Sequence, residues 1–188
     1  MTTFVALLRA VNVSGQNRIS MVELRRALSD SGLAGVETYV QSGNVVFDAE
    51  GDDPAKQAAA IHGSIEREFG HDVPVLVVTA AELVHAAAAN PFVAAGADEK
   101  SLHVTFLDGP VEEAAFGDLS LPAQPGEQAV LAAKGAGPAG RVVYLCLPHG
   151  YGRTRLNNAW FERALKTPAT TRNWRTVLAL VQMSARGS

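Results

Sequence analysis

Residues 36–49, VETYVQSGNVVFDA, place two β-rich runs around Ser42-Gly43-Asn44 and are read as a β-hairpin. What flanks the hairpin decides the fold. Upstream, TFVALLRAV (3–11) is an apolar run of buried-strand type, and the polar loop NVSGQNRI (12–19) follows it. Ser20 and Glu23 have capping-box spacing, Met21, Leu24 and Leu28 recur on one helical face, and Gly32 supplies a stop, so a helix is expected over Met21–Ser31. Downstream, Asp53 caps a second helix with Pro54 in its first turn, and Ala58, Ile61, Ile65 and Phe69 keep helical spacing as far as Gly70. VPVLVV (73–78) is the next strand. The order over residues 4–78 is β-α-β-β-α-β, the split-βαβ arrangement of a ferredoxin-like unit.

Thr79 and Glu82 repeat the capping-box spacing, which predicts a short connecting helix over Ala80–Ala89 that ends before Asn90-Pro91. A second round then begins with strand SLHVTFLDG (101–109), helix PVEEAAFGDL (110–119), strands EQAVLAAK (127–134) and RVVYLCLP (141–148), and helix NAWFERALK (158–166). Pro168 stops that helix, and Thr170 or Thr171 caps a last one, with Arg172 and Asn173 in its first turn. The second half is therefore expected to be β-α-β-β-α, with a helix over Arg172–Ala185 in place of a fourth strand. The fold class is α/β, of the α+β kind, in two subdomains: residues 1–79, ferredoxin-like; a helical connector, 80–100; and the variant with C-terminal helices, 101–188.

At 188 residues with 47% hydrophobic and 19% charged side chains, the composition is that of a globular protein. The first residues lack a basic leader, and no apolar run approaches the roughly 20 residues needed to span a bilayer, so a cytoplasmic location without membrane partners is expected. The formal net charge of −3 hides a segregation: residues 1–133 carry 7 basic and 18 acidic side chains, and residues 134–188 carry 9 basic ones against Glu162. A positive region of this kind attracts anions or an acidic partner, including the chain's own acidic part.

Several motifs carry no chemistry in their context. GAGPAG (135–140) has dinucleotide-motif spacing, yet it joins two strands instead of leading from a strand into a helix. Five histidines show no paired ligand spacing and Cys146 sits in a strand-like run, so no metal site, disulfide or cofactor is expected. His149, in PHGYGRTR beside Arg153 and Arg155, is the one candidate proton donor, without a nucleophile to accompany it.

Two segments combine the residue types that bind anions. In the N-terminal loop, Arg9, Asn12, Asn17 and Arg18 stand ahead of a capped helix whose unpaired amides favour negative charge; turn-making uses the same residues. In YGRTRLNNAWFERALKTPATTRNWRT (151–176), six basic residues, Arg153, Arg155, Arg163, Lys166, Arg172 and Arg175, face a single acidic one. Arginine in the first turn of a helix opposes the dipole unless an anion or carboxylate compensates. Trp160 and Trp174 suit either a junction between the halves or a stacking platform.

Three stretches, LLRAVNVSGQNRISMVELRRAL (7–28), ETYVQSGNVVF (37–47) and WFERALKTPATTRNWRTV (160–177), together resemble the bacterial domain-of-unknown-function family 1697. The resemblance implies an α/β fold with two subdomains in cytoplasmic bacterial proteins, and no established activity. It also implies glycine where this chain has Ala10 and Ser14.

The expectation drawn from these readings is a protein that binds an anionic, phosphorylated small molecule. Arg9, Asn12, Asn17, Arg18 and the turn Gln41, Ser42 and Asn44 are set against Arg153, Arg155, Lys166, Thr171, Arg172 and Asn173, with Trp174 for stacking. The alternatives are a nucleic-acid-binding module, weakened by the acidic total; an enzyme acting on a phosphate-containing substrate; and an adaptor for a protein partner.

Overall fold

The computed structural model describes residues 1–13, 15, 17–133 and 140–187. The chain divides into two compact units, Met1–Leu83 with Ala179–Ser188, and Val84–Leu178.

In the first unit, β1 (Thr2–Leu8), α1 (Met21–Asp30), β2 (Ala34–Tyr39), β3 (Asn44–Ala49), α2 (Pro54–Phe69) and β4 (Val75–Thr79) follow the expected order. The antiparallel sheet has the order β2-β3-β1-β4, consistent with the split-βαβ reading. Phe4 pairs with Phe47 on β3 and Thr79 on β4, so Phe4, Ala6 and Leu8 share a face with Val45, Phe47 and Val77. Leu24, Leu28, Ile61 and Ile65, from α1 and α2, close this face into one core, where the Phe4 and Phe47 rings stack 5.6 Å apart. Full burial of such side chains stabilises by roughly 1.5–3 kcal/mol each.

The helix boundaries follow local chemistry. Ser20 Oγ accepts the Glu23 amide at 3.4 Å, Asp53 Oδ1 accepts Ala55 and Lys56 amides at 2.9 and 3.2 Å, and Gly70 ends α2 with φ 66°. For α3 (Ala80–Ala88) the reciprocal box is complete: Glu82 N donates to Thr79 Oγ1 at 3.1 Å and Thr79 N to Glu82 Oε2 at 2.8 Å.

After α4 (Pro91–Ala94), the second unit contains β5 (Leu102–Leu107), α5 (Glu113–Gly117), β6 (Gln128–Leu131), β7 (Val142–Cys146), α6 (Asn158–Leu165), β8 (Ala169–Asn173) and the start of α7 (Trp174–Ser184), whose residues from Ala179 onward belong to the first unit. The strand β8 corrects the sequence reading. Residues 169–173 do not open a helix; they pair antiparallel with β5, Thr105 opposite Thr171 and Val104 opposite Arg172, and the two threonine hydroxyls meet at 2.8 Å. The cap of α7 belongs neither to Thr170 nor to Thr171 but to Asn173, whose Oδ1 accepts the Thr176 amide at 2.8 Å. The second half is thus β-α-β-β-α-β, and its sheet, β6-β7-β5-β8, repeats the order of the first. Threonine suits a strand edge as well as a helix cap, and non-local pairing decided between them.

Leu107, Val143, Leu145, Leu156 and Phe161 form the core between this sheet and its helices. On the other face, Tyr144 is fully enclosed, donates to Ala86 O at 2.9 Å, and has its pKa pushed up to about 12 by burial. Among the described residues no helix is long and apolar enough to cross a membrane.

Candidate functional site

The N-terminal loop and the hairpin turn are built against one another. The loop is anchored where β1 ends: Leu8 N donates to Gly43 O at 2.7 Å and Arg9 N to Pro74 O at 2.9 Å. Asn12 then spends its whole side chain on protein. Its Nδ2 donates to Ile19 O at 2.8 Å and to Gln41 O at 3.0 Å, and its Oδ1 accepts the Ile19 amide at 3.0 Å. Asn17 Nδ2 donates back to Ala10 O at 3.2 Å. Across the turn, buried Asn44 donates to Tyr39 O and to Ser42 Oγ, each at 3.2 Å. The asparagines that the sequence offers as ligand donors therefore position the loops.

What they frame is a concavity of about 450 Å³ lined by Asn12, Gly15, Arg18, Ile19, Ser20 and Gln41, at the N-terminus of α1. Arg18 and Gln41 are exposed, and among the described residues no acidic side chain lines the wall. Five described non-glycine residues have positive φ, and four of them lie in these two loops: Ala10 and Asn12 at 55°, Asn17 at 44° and Val40 at 51°. Asparagine tolerates this region, but alanine and especially β-branched valine do so at a cost of roughly 1–2 kcal/mol each. Ala10 holds this conformation where the family resemblance implies glycine. Val40 is 52% exposed, so no apolar burial explains its presence. Sequence reasoning missed Val40, since a valine next to a strand reads as strand. Ser14 lies outside the described residues, as do residues 135–139 of the glycine motif.

In the second unit the structure disperses the basic set. Arg155 precedes α6 and Lys166 ends it, which separates them by about 12 Å of helix. Lys166 is exposed with φ 57°, at the helix end where a cation complements the dipole. Arg153 is exposed, and its carbonyl accepts Gln124 Nε2 at 2.6 Å. Thr171 links Thr105 to Asn158, donating to Asn158 Oδ1 at 2.7 Å. Arg172 lies along β8, donating from Nη1 to Thr170 Oγ1 at 3.0 Å and Thr171 O at 3.1 Å. It retains some surface, yet the protein around its guanidinium lowers its pKa to about 10 by desolvation, with Tyr151 acting the other way. It is still a cation at neutral pH. Asn173 is occupied as a cap, and Trp174, 3% exposed, has no open face for stacking.

His149 is exposed and its Nε2 lies 3.1 Å from Pro125 O. His103 is the more perturbed histidine. It is buried on β5, stacks on Tyr151 at 5.4 Å, and its pKa is lowered by desolvation, partly offset by the Ser101 carbonyl 3.3 Å from Nδ1. Below about pH 6.5 the unfolded chain takes up this proton before the folded one does, so stability is full above that pH and declines as pH falls. Urea midpoints measured between pH 7.5 and 5 are expected to fall more steeply for the wild type than for His103→Gln. Parallel profiles would remove His103 as the cause.

In both sheets the central strands are buried on both faces, Val5 and Leu7 as well as Phe4 and Ala6, Thr105 as well as Val104 and Phe106. Neither sheet offers the open aromatic face on which single-stranded RNA stacks. Among the described residues no three His, Cys, Asp or Glu side chains cluster as metal ligands.

Comparison with known proteins matches the chain to a family rather than to an activity. Among solved structures it is similar to a conserved bacterial protein from Streptococcus pneumoniae, 23% identical over 97% of this chain and 98% of that one, with a TM-score of 0.69, a likeness of fold. No curated protein matches it. The model of the family described as protein of unknown function DUF1697 matches residues 1–135, and the chain belongs to that family.

Proposed function

We propose that the protein binds a small anionic, phosphorylated molecule in the concavity between the N-terminal loop and the hairpin turn. The observation that carries this reading is the concentration of left-handed non-glycine residues, Ala10, Asn12, Asn17 and Val40, in the two loops that frame it. Backbone strain of this kind gathers at binding and catalytic sites, where the surrounding structure holds it. The Asn12 bonds to Ile19 and Gln41 supply that hold. Arg18 and the amides of the first turn of α1 supply the positive end, and Gln41 supplies orientation.

The test is thermal unfolding against a panel of phosphorylated metabolites, nucleotides and carboxylates. A ligand at a hundred times its dissociation constant stabilises by about 2.7 kcal/mol. Arg18→Gln, at an exposed position, is expected to leave the unliganded protein's stability unchanged and to reduce affinity about tenfold or more. A panel that produces no shift, or a shift that Arg18→Gln retains in full, would exclude the site.

A further inference from the structure

The segment leading into α6 builds a second concavity, in the other unit and independent of the N-terminal site. It measures about 330 Å³, and its mainly apolar wall includes Pro122, Ala159 and Trp160, with Arg155 and Arg163 also lining it. Among the described residues neither guanidinium is engaged by a hydrogen bond or an ion pair, and no acidic side chain lines the wall. Two cations on one concavity repel each other, and Arg155 also stands at the positive end of the α6 dipole. An anion between them relieves both.

We propose that this concavity binds a small aromatic anion, its ring laid on Trp160 and its acidic group held by Arg155 and Arg163. Trp160 is half-buried, and its ring is supported edge-to-face by Phe161 at 5.1 Å. Tryptophan is the strongest aromatic platform, and arginine the cation best matched to carboxylate and phosphate.

The site is prepared before any ligand arrives. Thr154, another wall residue, donates to Glu127 Oε2 at 2.9 Å and accepts the Leu156 amide at 3.0 Å. Buried Glu127 also takes the Gln124 amide at 2.9 Å, and Gln124 Nε2 reaches Arg153 O at 2.6 Å. Arg155 thus projects from backbone fixed on both sides. At the helix start, Asn158 N donates to Tyr151 Oη at 3.2 Å and Trp160 N to Asn157 Oδ1 at 3.0 Å, which sets the angle at which Trp160 enters the wall. A pre-organised site of this kind loses little entropy on binding.

The experiment is titration calorimetry of the full chain with adenosine monophosphate and 2-naphthoate as aromatic anions, adenosine as a ring alone and inorganic phosphate as an anion alone. At least one aromatic anion is expected to bind, with the ring alone and the anion alone about tenfold weaker or worse. Binding by the nucleotide only assigns the anion to phosphate, and binding by 2-naphthoate only assigns it to carboxylate. Arg155→Gln and Arg163→Gln, both at exposed positions, are each expected to weaken the binding about tenfold while the urea midpoint stays unchanged. Trp160→Phe retains an aromatic face in the core and should weaken it less. The proposal is overturned if neither aromatic anion binds at millimolar concentration, if adenosine or phosphate binds as tightly, or if the two arginine variants bind like the wild type.

Discussion

Gly43→Ala is expected to lower stability by roughly 3 kcal/mol or more, the sum of a left-handed alanine and an overpacked contact. Gly43 has φ 72°, and a Cβ placed on it falls 2.7 Å from Leu8 Cβ and 3.3 Å from both Leu8 O and Val11 Cβ. Neither neighbour can retreat. Leu8 is 1% exposed and Val11 is fully buried, and the Leu8 amide donates to Gly43 O at 2.7 Å, so relief of the clash would break the bond that anchors the loop. Gly15→Ala is the control, since φ there is 78° but, its chain neighbours aside, none of the described residues lies within 4 Å of the added carbon. It should cost only the backbone strain, roughly 1–2 kcal/mol. Urea unfolding of both variants separates the two contributions. Equal losses would show that the turn and β1 do not approach as closely as described.

Asn12→Ala is expected to cost about 3 kcal/mol. Three hydrogen bonds, at roughly 1 kcal/mol each, disappear, and alanine is less at ease than asparagine at φ 55°. Two further variants divide the effect. Asn12→Gly keeps the backbone comfortable and should lose only the bonds. Asn12→Asp keeps the shape but directs a carboxylate at the Ile19 and Gln41 carbonyls, and should be at least as damaging as alanine. Because Asn12 ties Gln41 to the loop, each variant should also weaken any ligand found for the concavity, even where the protein stays folded. An Asn12→Ala protein as stable as the wild type would mean that the loop and turn are not held together in this way.

The resemblance read from three stretches agrees with the family match, which spans the first two and stops before the third. The candidate site was only partly legible. Residue types named Asn12 and Arg18 as neighbours of a helix start and Gln41 as part of the hairpin turn, and the structure places all three on one concavity. Their roles were not legible, because whether an asparagine faces a ligand or a carbonyl depends on backbone brought close by the hairpin, 29 residues away in the case of Gln41. The C-terminal arginines form a cluster along the sequence, but α6 and β8 carry them to different places. Arg163, named in the sequence only as part of a charge count, lines the same concavity as Arg155.

The sequence by itself determined the first βαββαβ unit and most helix boundaries, because caps, left-handed glycines and apolar periodicity act over three or four residues. Ser20, Asp53, Thr79 with Glu82, and Gly70 each do so. Only the tertiary structure decided that Ala169–Asn173 is a strand, that Trp174 is buried, and that Asn12 is a latch. Each of these outcomes depends on a partner far along the chain, as Thr171 does on Thr105 across 66 residues, and a local pattern of threonines cannot carry that information.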